Sequence, residues 1–143
     1  MNPLLQPCRV LALLAAAALG CSSGDRVPMH PVRGQVLYNG KPVKGAQVVF
    51  HPLEPQSVNV QKPLAYTDAE GRFSLTSERP DDGAPAGEYA VTVEQRERTA
   101  WGREEVKARN LLPARYSRPK TSGLRFQVQP GENEMPPLHL TDK

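Results

Sequence analysis

The feature that most restricts this chain is a two-residue alternation of apolar and polar side chains, interrupted every few residues by glycine or proline. Successive side chains of a β-strand point to opposite faces, so alternation of this kind marks a strand with one buried face. It is clearest where Tyr89, Val91 and Val93 alternate with Glu88, Thr92 and Glu94. Val32, Gly34, Val36 and Tyr38 share one face of an earlier segment, against Arg33 and Gln35. Ala46, Val48 and Phe50 alternate with Gln47, Val49 and His51. Pro63 to Thr67 reads as a short strand, and Phe73 and Leu75 point inward against Arg72, Ser74 and Thr76. Leu124, Phe126 and Val128 resume the pattern, and Leu138 and Leu140 end it.

The interruptions have turn chemistry. Asn39-Gly40 pairs two residues that accept positive φ, the signature of a tight hairpin turn. Asp68-Ala69-Glu70-Gly71 and Pro130-Gly131-Glu132-Asn133 read as turns, and Pro52 to Lys62 and Ser77 to Ala86 as loops. With 11 glycines and 15 prolines in 143 residues, the chain is too turn-rich for a helical bundle, and no segment keeps a helical period. Seven short antiparallel strands predict an all-β, two-sheet sandwich. Its expected inward set is Val36, Val48, Phe50, Phe73, Leu75, Tyr89, Val91, Val93, Leu124, Phe126, Val128, Leu138 and Leu140.

The N-terminus has a different character. Residues 1–20 contain Arg9 as their only charge and an apolar run from Val10 to Leu19. Ten apolar residues are too few for a stable membrane span but suit the apolar region of a signal peptide. No second apolar run of 18 residues follows. Ala18-Leu19-Gly20-Cys21 resembles a bacterial lipobox, and Ser22-Ser23-Gly24-Asp25 resembles a lipoprotein tether. That resemblance implies cleavage before Cys21, a diacylglycerol on its thiol, and, through Ser22, sorting to the outer membrane. Secretion after cleavage near Gly20 is the alternative. The expected organisation is therefore a signal peptide over 1–20, a tether over 21–30 and one domain over 31–143. The two cysteines are Cys8 and Cys21. An acylated Cys21 leaves the exported chain without thiol or disulfide, so the domain must be stable by packing alone.

Several segments of the domain are similar to carboxypeptidase regulatory-like domains. They are Val32-x-Gly34-x-Val36, Asn39-Gly40-Lys41-Pro42-Val43, Gly45-Ala46-x-Val48-x-Phe50, Thr67 to Phe73 and Gly87-Glu88-Tyr89-x-Val91-x-Val93. Leu112-Pro113-Ala114-Arg115-Tyr116, Thr121 to Leu124 and Pro130 to Asn133 resemble a lipoprotein subgroup of planctomycete type. The resemblance covers about residues 31–140. It implies a transthyretin-like (prealbumin-like, Ig-like) sandwich in an exported, lipid-anchored, periplasm-facing protein, and an accessory module rather than an enzyme.

Catalytic and metal chemistry have little purchase in the sequence. There is no G-x-S-x-G, H-E-x-x-H or phosphate loop. His30, His51 and His139 fit no local zinc spacing. Asp68 with Glu70, and Asp81 with Asp82, supply too few oxygens for calcium; Asp68 reads as the cap of a hairpin turn and Asp81-Asp82-Gly83 as a solvated turn. No catalytic residue, metal ligand or cofactor is expected. A transthyretin-like hydrolase, the enzyme alternative, would need a titrating group such as His51 or His139. The hydroxyisourate hydrolases of that fold end in Tyr-Arg-Gly-Ser, where this sequence has Leu140-Thr141-Asp142-Lys143.

The unusual stretch is Arg96 to Lys120, with eight Lys and Arg against three Glu. The chain as a whole is only +3, which argues against a nucleic-acid binder. Trp101, the only tryptophan, lies inside this stretch between Arg98 and Arg103. Those three residues form the candidate binding surface, for an envelope protein or a glycan. A long excursion with Trp101 folded over a sheet edge is the structural alternative. Leu111, Leu112 and Tyr116 are expected to anchor its end. A purely structural envelope role also remains compatible with the sequence.

The N-terminal reading has a direct test. Cells expressing the wild-type chain should incorporate a labelled fatty acid and retain the protein in membranes. Cys21→Ala should lose the label and lose membrane retention, because acyl chains contribute about 0.8 kcal/mol per buried methylene.

Overall fold

The computed structural model describes residues 26–55, 61–97 and 109–143. Among these, the strand segments in chain order are β1 (Met29–His30), β2 (Val32–Tyr38), β3 (Lys41–Pro42), β4 (Gln47–Pro52), β5 (Leu64–Tyr66), β6 (Arg72–Ser74), β7 (Ala84–Pro85), β8 (Gly87–Glu94), β9 (Leu124–Val128), β10 (Asn133–Glu134) and β11 (Leu138–Leu140). A 3-10 turn at Ala114–Ser117 precedes β9. Cys21 and the segment 1–20 lie outside the described residues.

Two sheets face each other. In the first, β2 is central, antiparallel to β3 and β6 and parallel to β10 and β11. The second runs β5-β4-β8-β9 and is antiparallel throughout. Val32, Val36, Phe73, Leu138 and Leu140 from the first sheet meet Val48, Phe50, Tyr89, Val91, Val93 and Val128 from the second in one apolar layer. Phe50 sits in its middle, with Tyr89 at 5.6 Å and Phe126 at 6.2 Å between ring centroids. The Tyr89 hydroxyl donates to the Pro85 carbonyl at 2.8 Å, so the one polar atom of that side chain is satisfied.

The all-β sandwich expected from alternation is borne out, and every residue of the expected inward set lies in the core or packs against it. Three details differ. The strand segments are more numerous than seven, because β1, β3, β7 and β10 are two-residue pairings too short to show a period. The pairings of β2 with β10 and β11 are parallel, since the last segments return beside β2 in its own direction. Met29 and His30, read as tether, pair with Pro85 and Ala84 and so belong to the domain.

Turn residues behave as their chemistry dictates. Asn39 and Gly40 take φ of 49° and 77°, closing β2 onto β3. The Asp68 carboxylate accepts from the Glu70 and Arg72 N–H groups at 2.9 and 2.8 Å, as expected of a turn cap. Asp82 accepts from Ser77, Glu78 and Arg79 at 2.7, 3.0 and 2.8 Å and organises the loop before β7. Two hydrogen bonds between Leu64 and Thr76, at 3.0 and 2.9 Å, join the sheets along one edge. Buried Thr67 donates to the Val43 carbonyl and accepts from Ala46 N–H, which holds the β3–β4 connection against β5.

Gly71 combines two demands. Its φ is +74°, and a Cβ there would stand 2.4 Å from the Val36 carbonyl oxygen. Gly71→Ala should therefore destabilise the domain by about 2–4 kcal/mol, through left-handed strain and overpacking. A urea melt should show a lower midpoint with an unchanged slope.

Candidate functional site

Past Glu94 the chain leaves β8 and returns on an antiparallel stem. Leu111 N–H donates to the Gln95 carbonyl at 2.8 Å, and Glu97 N–H to the Arg109 carbonyl at 3.0 Å. The Asn110 side-chain oxygen accepts from Gln95 and Leu112 N–H groups at 3.0 and 3.2 Å, stapling the stem across its width. Leu112 and Tyr116 are buried in the core and anchor the returning chain as expected. Leu111 does not: it is 44% exposed, because its backbone is committed to Gln95 and its side chain turns outward. The candidate binding residues Arg98, Trp101 and Arg103 fall within residues 98–108, outside the described residues.

Beside the stem is a groove of about 600 Å³. Its floor is a row of outward-facing residues across three strands, since Gln47 of β4 opposes Tyr66 of β5 on one side and Glu94 of β8 on the other. Tyr66 is 64% exposed, the most exposed of the large apolar side chains described. Gln47 Nε2 donates to its hydroxyl at 3.2 Å and fixes that end of the ring. Arg96 reaches Glu94 through Nε at 3.0 Å and Nη2 at 2.8 Å. That pair is open to solvent, so it contributes about 0–1 kcal/mol to stability and leaves both charges available to a ligand. Gln95 Nε2 donates to the Lys44 carbonyl at 2.9 Å, and Leu111 completes the wall.

The groove thus offers an aromatic face, an aliphatic contact, an amide, a carboxylate and a guanidinium in a shallow, open row. Among the described residues, no serine, cysteine or histidine lines it. Such a row combines apolar surface for contact area with a few polar groups that could orient a ligand. Tyr66 is absent from the expected binding surface, although its sequence context carries a signal. Pro63, Ala65 and Thr67 are buried, so the intervening Tyr66 is an aromatic on the solvent face of its strand. Leu111 carried no such signal, because its exposure depends on the stem's register.

The histidines are dispersed. His30 Nδ1 accepts from Gly131 N–H at 3.1 Å, His139 is exposed on β11, and His51 lies on the outer face of β4, where Nε2 and Thr92 Oγ1 are hydrogen-bonded at 2.9 Å. Burial pushes the His51 pKa below its ordinary 6.5, and the positive charge of Lys62 lowers it further.

Residues 32–108 match the family described as Domain of unknown function (DUF6795). No curated protein matches the chain. Among solved structures, it is similar to a DUF3823 family protein from Parabacteroides merdae, at a TM-score of 0.43 and 15% identity over 80% of this chain and 47% of that one. A 9R-lipoxygenase from Cyanothece PCC8801 is similar at a TM-score of 0.41 and 14% identity, over 79% of this chain and 16% of that one. The chain therefore spans about half the length of the first protein and a sixth of the second.

The His51 environment predicts a pH dependence. A folded-state pKa below the unfolded value means that unfolding takes up a proton, so His51's contribution is complete above about 6.5 and declines as pH falls through that value. Denaturant midpoints compared between about pH 7.5 and 5 should fall with acidification. His51→Gln should flatten that part of the profile.

Proposed function

Since the chain belongs to the DUF6795 family, whose function is unknown, we propose from its own residues that it is a non-catalytic, lipid-anchored module of the cell envelope. In this reading it binds a protein or glycan partner through the Tyr66–Leu111 groove and the basic stretch rooted beside it. The observation that carries the reading is the placement of the groove. The two most exposed large apolar side chains of the described residues, Tyr66 and Leu111, line one groove with Arg96, at the base of the Gln95–Leu111 stem. Exposed aromatics next to arginines are the usual composition of interface centres, and an unpartnered patch of this kind marks an interaction surface.

The anchoring half of the proposal rests on the lipobox-like segment ending at Cys21, with Ser22 favouring the outer membrane and a periplasm-facing domain. Likeness to carboxypeptidase regulatory-like domains, which are accessory modules, supports binding over catalysis.

The test is capture from solubilised envelope proteins and glycans by the immobilised full chain in detergent. Two variants run beside it, Tyr66→Ala with Leu111→Ala, and Trp101→Ala with Arg98→Glu and Arg103→Glu. A specific partner should be retained by wild type and lost tenfold or more in both, because truncating central aromatic and arginine contacts costs about 2 kcal/mol or more each. A partner held equally by all three proteins would remove the groove from the reading. Ester hydrolysis by the purified chain that disappears in His51→Ala would replace the module with an enzyme.

A further inference from the structure

Asn39 is the one asparagine of the chain that glycine follows. Asn2, Asn59, Asn110 and Asn133 are followed by Pro3, Val60, Leu111 and Glu134. Asn39 and Gly40 form the two-residue turn that joins β2 to β3, at φ of 49° and 77°. Both residues are exposed, and a Cβ built on Gly40 would meet nothing within 4 Å, so the turn is open on that side. Tyr38 and Lys41 are the paired residues that flank it. The Gly40 N–H, between them, has no partner among the described residues.

The Asn39 carboxamide belongs to a clasp on residues 140–142. Its Nδ2 donates to Asp142 Oδ2 at 2.8 Å, and the Tyr38 hydroxyl donates to Asp142 Oδ1. Hydrogen bonds from Tyr38 and Asn39 hold the Asp142 carboxyl below its ordinary 3.8, so it is a carboxylate at neutral pH. One residue earlier, the Thr141 carbonyl accepts from Arg115 Nη2, and Thr141 N–H donates to the Tyr116 hydroxyl at 3.0 Å. The Leu140 carbonyl accepts from Asn39 N–H at 2.9 Å. Through these bonds the clasp ties the β2–β3 turn to the 3-10 turn that carries Arg115 and Tyr116.

We propose that Asn39 is a site of spontaneous deamidation and that the reaction opens this clasp. The Gly40 main-chain nitrogen, losing its proton to solvent base, attacks Asn39 Cγ. The new N–Cγ bond closes a succinimide ring, the Cγ–Nδ2 bond breaks, and Nδ2 takes up a proton and leaves as ammonia. Water then adds to one of the two ring carbonyls and breaks its bond to the Gly40 nitrogen, which regains a proton. The product is aspartate or isoaspartate: water is consumed, ammonia is released, and nothing is oxidised or reduced. Glycine favours the attack because it offers a nitrogen unshielded by a side chain. Geometry sets the consequence. The group that donated to Asp142 becomes a second carboxylate facing it, so an attraction turns into repulsion between like charges. Ring closure also requires the carboxamide to leave Asp142 and turn toward Gly40, so the same hydrogen bond slows the reaction. Neither the Tyr66 groove nor Cys21 takes part, so this inference is independent of the proposed binding and anchoring.

The test ages the purified full chain in detergent at mildly alkaline pH and follows each asparagine by peptide mass mapping. Asn39 should convert at least about tenfold faster than Asn110 and Asn133, whose following residues carry side chains. Asp142→Ala should speed the conversion of Asn39 by about two- to tenfold, the equivalent of one hydrogen bond. Asn39→Asp reproduces one product and keeps a dipeptide that favours this turn. In the ¹⁵N-labelled chain it should shift the Thr141 and Asp142 amide resonances. In an Asp142→Asn background, which lacks the like-charge pair, the same substitution should leave Thr141 nearly in place. Conversion of Asn39 no faster than that of Asn110 and Asn133 overturns the site. An Asp142→Ala rate equal to wild type, or unmoved Thr141 and Asp142 resonances in Asn39→Asp, overturns the opening of the clasp. The comparison of asparagines within the wild-type chain depends on no variant's folding.

Discussion

The structure depends on one shared apolar layer. Tyr89, Val91 and Val93 of β8 are fully buried, as are Val32 and Val36 of β2, and these two strands are the centres of opposing sheets. Each such side chain contributes about 1.5–3 kcal/mol by leaving water. With both cysteines N-terminal to the domain, no disulfide supplements that burial. The rest of the architecture serves the layer. Phe50 fills its centre, and the Leu64–Thr76 hydrogen bonds close one edge. Leu112 and Tyr116 bring the basic stretch back to the core after the stem.

Because two sheets bury only their inner faces, their outer faces and edges carry whatever the protein does. The Tyr66 groove is an outer-face feature: it exists because Gln47, Tyr66 and Glu94 share a row, and because the stem continues β8 past the end of the sheet. Pro136 and Pro137 separate β10 from β11, which both pair with the same side of β2. The family match ends at residue 108, whereas the strands that complete both sheets, β9 to β11, follow it. The matched region alone thus lacks Val128, Leu138 and Leu140 from the core.

Much of the fold could be read from residues that face only one environment. Tyr89, Val91 and Val93 announce a buried face, Asn39-Gly40 a tight turn, and Asp68 a capped one, because each has a local cause. Asn133 had no such signal, yet it is buried, with Oδ1 accepting from Gln129 N–H at 2.8 Å and Nδ2 donating to the Gln129 and Gly131 carbonyls. Of the candidate site, the basic stretch and its tryptophan were visible in the sequence. Tyr66, Leu111 and Gln47 became a groove only when β5, β4 and the stem were placed side by side.

The sequence by itself determined that the chain is a β-sandwich, which side chains form its core and where most of its turns fall. Those properties follow from the period of a strand and the φ preferences of asparagine and glycine, and both act within a few residues. Only the tertiary structure decided which strands pair, in which direction and in which register. Backbone hydrogen bonds carry no side-chain identity, so alternation at Leu138 and Leu140 specifies a strand but not that it lies parallel to β2. The same reason explains the groove. The exposure of Tyr66 beside Leu111 is a property of neighbours distant in sequence.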